Sequence, residues 1–176
     1  MQEVRRLTPA AFEHYYTLRG AGLVEAPAAF TTDASAWLGA DRVKVERHLE
    51  ASRDDPSRPI FGAWSDGELV GLIGLSREPR ESVSHKASLW GLYVSPNHRR
   101  QGLGRSLLAE AISAARDLPG LRQLRAVVPT ACDAAIGLFK SLGFEEFGLE
   151  RDARWVNGRF HDQLYLWLLF RNAEDS

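Results

Sequence analysis

The sequence predicts a single α/β domain in which strands and helices follow one another in the order β-α-α-β-β-β-α-β-α-β-β. Two dipeptides typical of tight hairpins, Asp66-Gly67 and Asn157-Gly158, each separate two stretches of strand character. Between these hairpins, residues 103–116 place apolar side chains at helical spacing. The chain has 176 residues and no Pro/Gly/Ser-rich linker, so we expect one domain over residues 1–176.

The first part of the chain contains a short strand and two helices. Residues 4–7 have strand character, and Thr8-Pro9 then supplies an N-cap and a proline suited to the first helical position. This signal predicts a helix from residue 10 to residue 18 or beyond. After an irregular segment at residues 20–30, apolar spacing predicts a second helix over about residues 33–52.

The middle of the chain alternates strands, turns and helices. Residues 60–64 and 68–75 are predicted as antiparallel strands joined by the first hairpin. A further strand over residues 87–94 leads through a glycine-rich loop into the amphipathic helix. Residues 121–128 are then predicted as a strand, followed by a helix over residues 131–142. Thr130 is suited to cap that helix, and Gly143 is suited to end it in a left-handed conformation.

The two terminal strands are predicted over residues 144–156 and 159–170, on either side of the second hairpin dipeptide. The second of them contains the apolar run 164–170. Such a run fits an exposed edge that pairs with a second copy in a homodimer, and it fits a central buried strand equally well. The sequence leaves both alternatives open.

The most informative segment is Arg-Arg-Gln-Gly-Leu-Gly-Arg at residues 99–105, between a strand and a helix. Two glycines let a ligand approach the backbone, and free amides at a helix start, with three arginines nearby, favour an anion. No Lys follows Gly102 or Gly104, which excludes a Walker A loop, and Leu107 occupies the third glycine position of a Rossmann loop. A tight turn with solvated arginines explains the glycines but not the cluster of cations.

The loop has the pattern Arg/Gln-x-x-Gly-x-Gly/Ala at Arg99, Gly102 and Gly104, with Leu-Tyr-Val-Ser-Pro before it at residues 92–96. In this setting it resembles the acetyl-CoA loop of GNAT N-acetyltransferases. Residues 135–144, Ala-Ile-Gly-Leu-Phe-Lys-Ser-Leu-Gly-Phe, are similar to the C-terminal motif of that family, Ala-x-x-Leu-Tyr-x-x-Leu-Gly-Phe. The two motifs and the element order together extend the resemblance over most of the chain.

The resemblance implies a fold and an activity. The fold is a mixed, mostly antiparallel twisted sheet of about seven strands flanked by four helices. The activity is transfer of an acetyl group from acetyl-CoA to a primary amine by direct attack in a ternary complex. The acceptor is a small amine, an amino-acid-like compound, or a peptide or protein amine. The alternative is a non-catalytic module that binds or senses acyl-CoA.

The resemblance also implies where acetyl-CoA binds. Amides of the loop and the arginines are expected at the pyrophosphate, although the sequence does not decide which arginine touches it. The pantetheine arm is expected against the end of the fourth strand, where an amide is positioned to stabilise the oxyanion. The full set of expected contacts is Leu92, Tyr93, Val94, Arg99, Arg100, Gln101, Gly102, Leu103, Gly104, Arg105, Ser106, Cys132 and Phe139.

The chain departs from the family pattern at its proton-transfer residues. Many members have a tyrosine where Phe139 stands and an asparagine where Cys132 stands, and the fourth strand here has no carboxylate. A thiol has a pKa of about 8.5, so loss of the acid is expected to slow thiolate departure without preventing it. Cys132 as a nucleophile is disfavoured, because no His and carboxylate partners are identifiable by spacing.

The catalytic candidates are therefore His85 as base, because its pKa suits proton transfer near neutrality, and Tyr93 as the acid that replaces Phe139. Less favoured bases are a water molecule and four side chains, Glu25, Glu78, Glu81 and His161. The five tryptophans are expected mainly in the core rather than in a substrate cleft. Acceptor specificity is expected from the loops at residues 20–30 and 78–86.

Composition limits partners and location. The net charge is −1, without the clustered basic excess that nucleic-acid binding requires. Cys132 is the only cysteine, so no disulfide and no cysteine metal site is expected, and a reducing compartment is favoured. The N-terminus has no apolar run of a signal peptide, and no run is long enough to span a bilayer. We therefore expect a cytoplasmic protein without metal or membrane partner.

Overall fold

The structure is a computed structural model and describes residues 1–170. Seven strands form one sheet, and five α-helices cover its two faces. The strands are β1 Gln2–Arg6, β2 Ile60–Ser65, β3 Glu68–Arg77, β4 Lys86–Val94, β5 Gln123–Pro129, β6 Glu145–Val156 and β7 Arg159–Leu169. The helices are α1 Phe12–Glu25, α2 Ala34–Leu38, α3 Arg42–Asp54, α4 Leu103–Arg116 and α5 Asp133–Ser141. Short 3-10 turns are formed by Pro9–Ala11, Pro27–Ala29, Glu81–Val83 and Pro96–His98.

The strand order in the sheet is β1-β2-β3-β4-β5-β7-β6. The pair β4 and β5 is parallel, and the other neighbouring pairs are antiparallel. Both predicted hairpins are present, and positive φ angles at Asp66, Gly67, Asn157 and Gly158 are those of type I′ turns. The predicted mixed sheet is therefore confirmed, and so is the order of its strands along the chain.

The helices differ from the prediction in number, because the second predicted helix is divided into α2 and α3. Gly39 ends α2, and Asp41 starts α3 by accepting a hydrogen bond from the Val43 amide at 3.0 Å. Thr130 does not cap α5, because Cys132 occupies the N-cap position without a side-chain hydrogen bond. Gly143 follows α5 at φ 90°, as predicted.

The sheet separates two apolar clusters. Helix α4 packs on one face with α5, and its fully buried Leu107, Leu108 and Ala111 belong to the larger cluster. Helices α1, α2 and α3 cover the other face through Tyr15, Trp37 and Leu49. No helix within residues 1–170 is long and apolar enough to cross a membrane.

Residues 164–169 of the apolar run lie in β7, which has β5 on one side and β6 on the other. Leu166 is fully buried there. The central-strand alternative is therefore the correct one, and this run does not offer a sheet edge to a second subunit. The homodimer stays a prediction that this strand no longer supports.

Candidate active site

The sheet splits between its two parallel strands. The register pairs between β4 and β5 are Lys86 with Gln123, Ala87 with Leu124 and Ser88 with Arg125. Beyond these pairs the strands border a cleft of about 860 Å³, lined by residues 89–94 on one side and 126–129 on the other. Backbone groups at the end of β4 therefore face a cleft instead of a neighbouring strand.

A β-bulge at Gly91 decides which side chains face the cleft. Trp90 lies opposite Gly74 and Tyr93 lies opposite Leu72, so Gly91 and Leu92 share one partner on β3. Gly91 has φ 69°, a conformation that glycine adopts without the steric cost paid by other residues. The extra residue reverses the alternation and turns Tyr93 to the same face as Trp90, toward α1.

Tyr93 meets a carboxylate on that face. Its hydroxyl donates to Glu25 Oε2 at 2.6 Å, and Arg99 Nη2 donates to Glu25 Oε1 at 2.7 Å. Arg99 Nε also donates to the Val94 carbonyl at 2.9 Å, which attaches the loop to the end of β4. We call Glu25, Tyr93 and Arg99 the Glu25 cluster. All three residues line the cleft.

The pKa values in the Glu25 cluster are displaced in opposite directions. The hydrogen bond from Tyr93, with that from Arg99, lowers the pKa of the Glu25 carboxyl. Burial, with the hydrogen bond to Glu25, raises the pKa of Tyr93 to about 12. Near neutrality the pair is therefore a carboxylate and a protonated phenol.

The start of α4, which follows Arg99 closely in the chain, forms an anion cradle that borders the same cleft. Arg100 at φ 60° and Gly102 at φ 85° turn the backbone so that the amides of the first helical turn point outward. Ser106 makes the first intrahelical bond, to the Gly102 carbonyl at 3.0 Å. The amides of residues 103–105 therefore have no carbonyl to bond within the helix.

Space at the cradle fits a ligand close to the backbone. A Cβ added at Gly102 would have no heavy atom of the described residues within 4 Å, so the peptide is open on that side. A Cβ added at Gly104 would lie only 3.3 Å from Leu138 Cδ2, so the absence of a side chain here lets α4 pack closely against α5. The two glycines thus serve different purposes, one open to a ligand and one to helix packing.

The structure separates the three arginines of the loop. Arg99 is engaged by Glu25, whereas Arg105 Nη1 donates to Ser141 Oγ at 3.0 Å and Arg100 is exposed at the cleft. Among the other predicted loop contacts, the Gln101 side chain points away, because it bonds Gln2 and the Asn97 carbonyl.

The remaining predicted contacts of the loop and of α5 are less uniform. Leu103 is buried in the core, and the Ser106 hydroxyl donates to the Gly102 carbonyl at 3.3 Å. Cys132 and Phe139 both line the cleft. Burial raises the pKa of the Cys132 thiol, which favours the neutral thiol over a nucleophilic thiolate. Phe139 is 4% exposed and packs against Phe144.

The structure brings one of the predicted bases to the cleft, and that base is Glu25. His85 precedes the opposite end of β4, about eight residues of extended chain from Tyr93, which is roughly 26 Å. It does not line the cleft, and neither do Glu78, Glu81 and His161. Proximity to the cleft therefore favours Glu25 as the base over His85, the first candidate from the sequence.

The tryptophans divide between core and surface. Trp37 and Trp64 are buried, as expected for core residues, whereas Trp155 is 62% exposed on the terminal hairpin. Trp90 is half-buried, donates from Nε1 to Ser76 Oγ at 3.0 Å and lines the cleft. No local sequence pattern marks Arg19, a residue of α1 whose guanidinium lies over the rings of Trp37 and Trp90. An isolated glycine within a strand pattern, Gly91, was the available signal for the bulge.

A mixed sheet split between two parallel strands, with a helix N-terminus at the end of the split, defines a domain suited to an extended ligand that carries phosphate. The sequence profile of the Acetyltransferase (GNAT) family matches residues 26–144. The chain therefore belongs to this family, and the resemblance carried by its two motifs is confirmed.

Individual relatives agree with this assignment. N-alpha-acetyltransferase RimI from Mycobacterium tuberculosis is 37% identical over 103 residues, which span 58% of this chain and 62% of the relative. The match thus covers less than two thirds of that protein. Ribosomal-protein-alanine N-acetyltransferase from Brucella melitensis has a TM-score of 0.82 at 27% identity, covering 96% of this chain and 99% of its own.

A second solved structure is yncA, a putative acetyltransferase from Salmonella typhimurium, determined with its cofactor acetyl-CoA. It has a TM-score of 0.85 at 21% identity and covers 98% of this chain and 95% of its own. This likeness concerns the fold.

Proposed function

We propose that this protein transfers an acetyl group from acetyl-CoA to a primary amine by direct attack within a ternary complex. The observation that carries the proposal is the continuous cleft from the split between β4 and β5 to the anion cradle at α4. Membership of the family supports it. So does the carboxylate of Glu25 in the cleft, a group that a purely binding module does not need.

The cradle supplies the pyrophosphate contacts in this proposal. The amides of residues 103–105 point at the phosphate oxygens, and the helix N-terminus favours their charge. Arg100 and Arg105 lie beside these amides and neutralise the phosphates. Arg99 has a different task, because its guanidinium holds Glu25 and the Val94 carbonyl.

The end of β4 positions the reacting group. Bound acetyl-CoA supplies a thioester carbonyl as the electrophile. The backbone of residues 92–94 borders the cleft, so one of its amides donates to the carbonyl oxygen as negative charge develops there. Such a preorganised donor contributes about 10²-fold or more to the rate. Cys132 and Phe139 form part of the wall along the pantetheine arm.

Glu25 takes the proton of the attacking amine, directly or through one water molecule. Its two oxygens already accept from Tyr93 and Arg99, and each retains further acceptor capacity. The lowered pKa makes Glu25 a weak base toward a free ammonium group. It is suited to the nitrogen once the bond to carbon is forming, because that nitrogen is then much more acidic.

Tyr93 positions Glu25 and does not protonate the departing sulfur. A phenol with a pKa of about 12 holds its proton more tightly than a thiol does, since the thiol pKa is about 8.5. Proton transfer from Tyr93 to the thiolate is therefore unfavourable. The thiolate leaves without a dedicated acid, in agreement with the phenylalanine at position 139.

The decisive experiment measures thiol release from acetyl-CoA across a panel of primary amines, together with acetyl-CoA affinity. We expect release that depends on the amine and saturates with it, and no release above the hydrolysis rate when the amine is omitted. Tight acetyl-CoA binding without turnover for any amine would instead support the non-catalytic module.

A further inference from the structure

A second pocket, of about 380 Å³, lies on the α1 side of the sheet next to the cleft. Its walls come from α1, α2, α3 and β4, and we call it the Arg19 pocket. Trp90 lines both spaces, so the Arg19 pocket opens beside the cleft. Its polar and aromatic side chains include Arg19, Trp37, Asp41, Lys44, His48 and Trp90.

Arg19 makes no ion pair with any side chain of residues 1–170. Its Cζ lies 5.0 Å from the ring centroid of Trp37 and 5.1 Å from that of Trp90, so the guanidinium contacts two indole rings. Its Nε and Nη1 atoms are buried and have no hydrogen-bond partner among residues 1–170. Burial lowers the pKa of Arg19, the mark of a cation that lacks compensation.

Buried charges in proteins are normally paired, because an unpaired buried charge is costly. The described part of the chain provides no such pair for Arg19. A guanidinium aligned by two rings is also preorganised for a planar anion such as a carboxylate. This arrangement of Arg19 is therefore suited to binding an anionic ligand.

The charges around Arg19 favour the same ligand. Lys44 adds a second cation to the pocket, and Asp41 is occupied in part by the Val43 amide that it caps. Burial, with contributions from Arg58 and Arg19, lowers the pKa of His48, so its ring is neutral at pH 7. An acceptor with additional positive charge, such as a polyamine, is disfavoured in these surroundings.

The distance between Arg19 and the end of β4 limits how far the anionic group of the ligand can be from its reacting amine. Arg19 Nη1 lies 3.0 Å from the point that a Cβ of Gly91 would occupy. The next residue, Leu92, begins the backbone proposed to hold the thioester carbonyl, and its Cα is about 3.8 Å from that of Gly91. A group bound at Arg19 is thus a short distance from the reacting centre.

We propose that Arg19 binds the carboxylate of an amino-acid acceptor and directs its amino group into the cleft. This inference rests on the proposed acetyltransferase function and names its substrate class. A peptide N-terminus lacks a carboxylate close to its amine, and a simple amine lacks one altogether. Free amino acids are therefore selected over both.

The test compares amino acids with matched compounds that lack the carboxylate. Each amino acid is assayed beside its methyl ester and its decarboxylated amine, and peptides with the same N-terminal residue form a third group. We expect kcat/KM for the free amino acids to exceed that for matched compounds by about 10- to 100-fold, chiefly through KM. Equal or better turnover of esters, amines or peptides would overturn the proposal, and this comparison requires no variant.

Variants then assign the preference to the side chain. Arg19→Gln is expected to abolish the carboxylate preference, and Arg19→Lys to retain part of it. Arg116→Gln, which removes an exposed arginine in the last turn of α4, serves as control and should leave the preference unchanged. A folded Arg19→Gln protein that still prefers amino acids would overturn the assignment.

Failure of the proposed function would be recognised separately. If no amine is acetylated, the fluorescence of Trp37 and Trp90, which flank Arg19, still reports amino-acid binding. Saturable quenching by free amino acids and not by their methyl esters, lost in Arg19→Gln, would support the carboxylate site without the enzyme. No difference between acids and esters would reject the site as well.

Discussion

The anion cradle and the Glu25 cluster line one cleft but are built in different ways. The cradle consists of backbone amides from one continuous segment, with glycine conformations that open it to a ligand. The Glu25 cluster consists of side chains, and Glu25 is 68 positions from Tyr93 and 74 from Arg99 in the chain. Backbone recognition tolerates changes in side chains, whereas the cluster depends on each of its three residues. Substitutions in the cradle and in the Glu25 cluster should therefore have different consequences.

The largest expected effect is at the cradle, for Gly102→Asp. A carboxylate there lies beside the proposed phosphate position, and like charges brought together in an interface cost several kcal/mol, roughly 10³-fold in Kd for CoA. Calorimetric titration with CoA measures this change. Gly67 is a matched control, because its φ of 87° and the open space around it are close to those of Gly102 at φ 85°. Gly67→Asp should leave CoA affinity unchanged.

An intermediate effect is expected in the Glu25 cluster, for Glu25→Gln. Loss of the proposed base should lower kcat by about 10²-fold, while CoA affinity stays within a few-fold because the cradle is intact. Rates of thiol release with a saturating amine, beside CoA titrations, separate the two quantities. Glu78→Gln, a carboxylate outside the cleft, is the control. A Glu25→Gln enzyme with unchanged kcat would remove Glu25 from the reaction.

The smallest effect concerns the pH dependence of stability and tests Tyr93. Because folding raises its pKa from 10.0 to about 12, the fold retains this proton while the unfolded chain releases it. The stabilisation is therefore complete below pH 10 and is lost as pH rises toward 12. By pH 12 the loss amounts to about 2 kcal/mol, because the Tyr93 side chain is only 7% exposed and solvent screens the shift little.

Tyr93→Phe should remove that part of the slope. Urea unfolding of both proteins at several pH values between 8 and 12 measures it, and the difference between the two curves isolates Tyr93 from the other titrating groups. Parallel curves over this range would show that the hydroxyl is not held as the structure places it.

The elements with strong local signals were predictable from the sequence. The amphipathic pattern predicted α4 over residues 103–116, where the structure has it, and two dipeptides located both type I′ hairpins. The sequence did not predict the division between α2 and α3, because apolar spacing continues across the break at Gly39. The capping role of Asp41 depends on a hydrogen bond that forms only in the folded chain.

The candidate site was predictable only in part, for a related reason. Loop residues 99–105 indicated an anion site because neighbouring amides act together wherever the loop is placed. The preference for His85 as base came from its intrinsic pKa, which says nothing of its distance from the cleft. Glu25 became the better candidate because Gly91 turns Tyr93 toward α1, and Arg99 meets both there.

The sequence by itself determined the family, the order of the strands and the glycine-rich loop before α4, since each depends on short-range patterns of spacing, turn chemistry and glycine. The tertiary structure alone decided which carboxylate enters the cleft, that the apolar run of β7 is central, and that Arg19 lies between two tryptophans without a carboxylate partner among residues 1–170. These properties depend on which distant segments pack together. Burial and pairing of a charge are consequences of that packing and have no local signature in the chain.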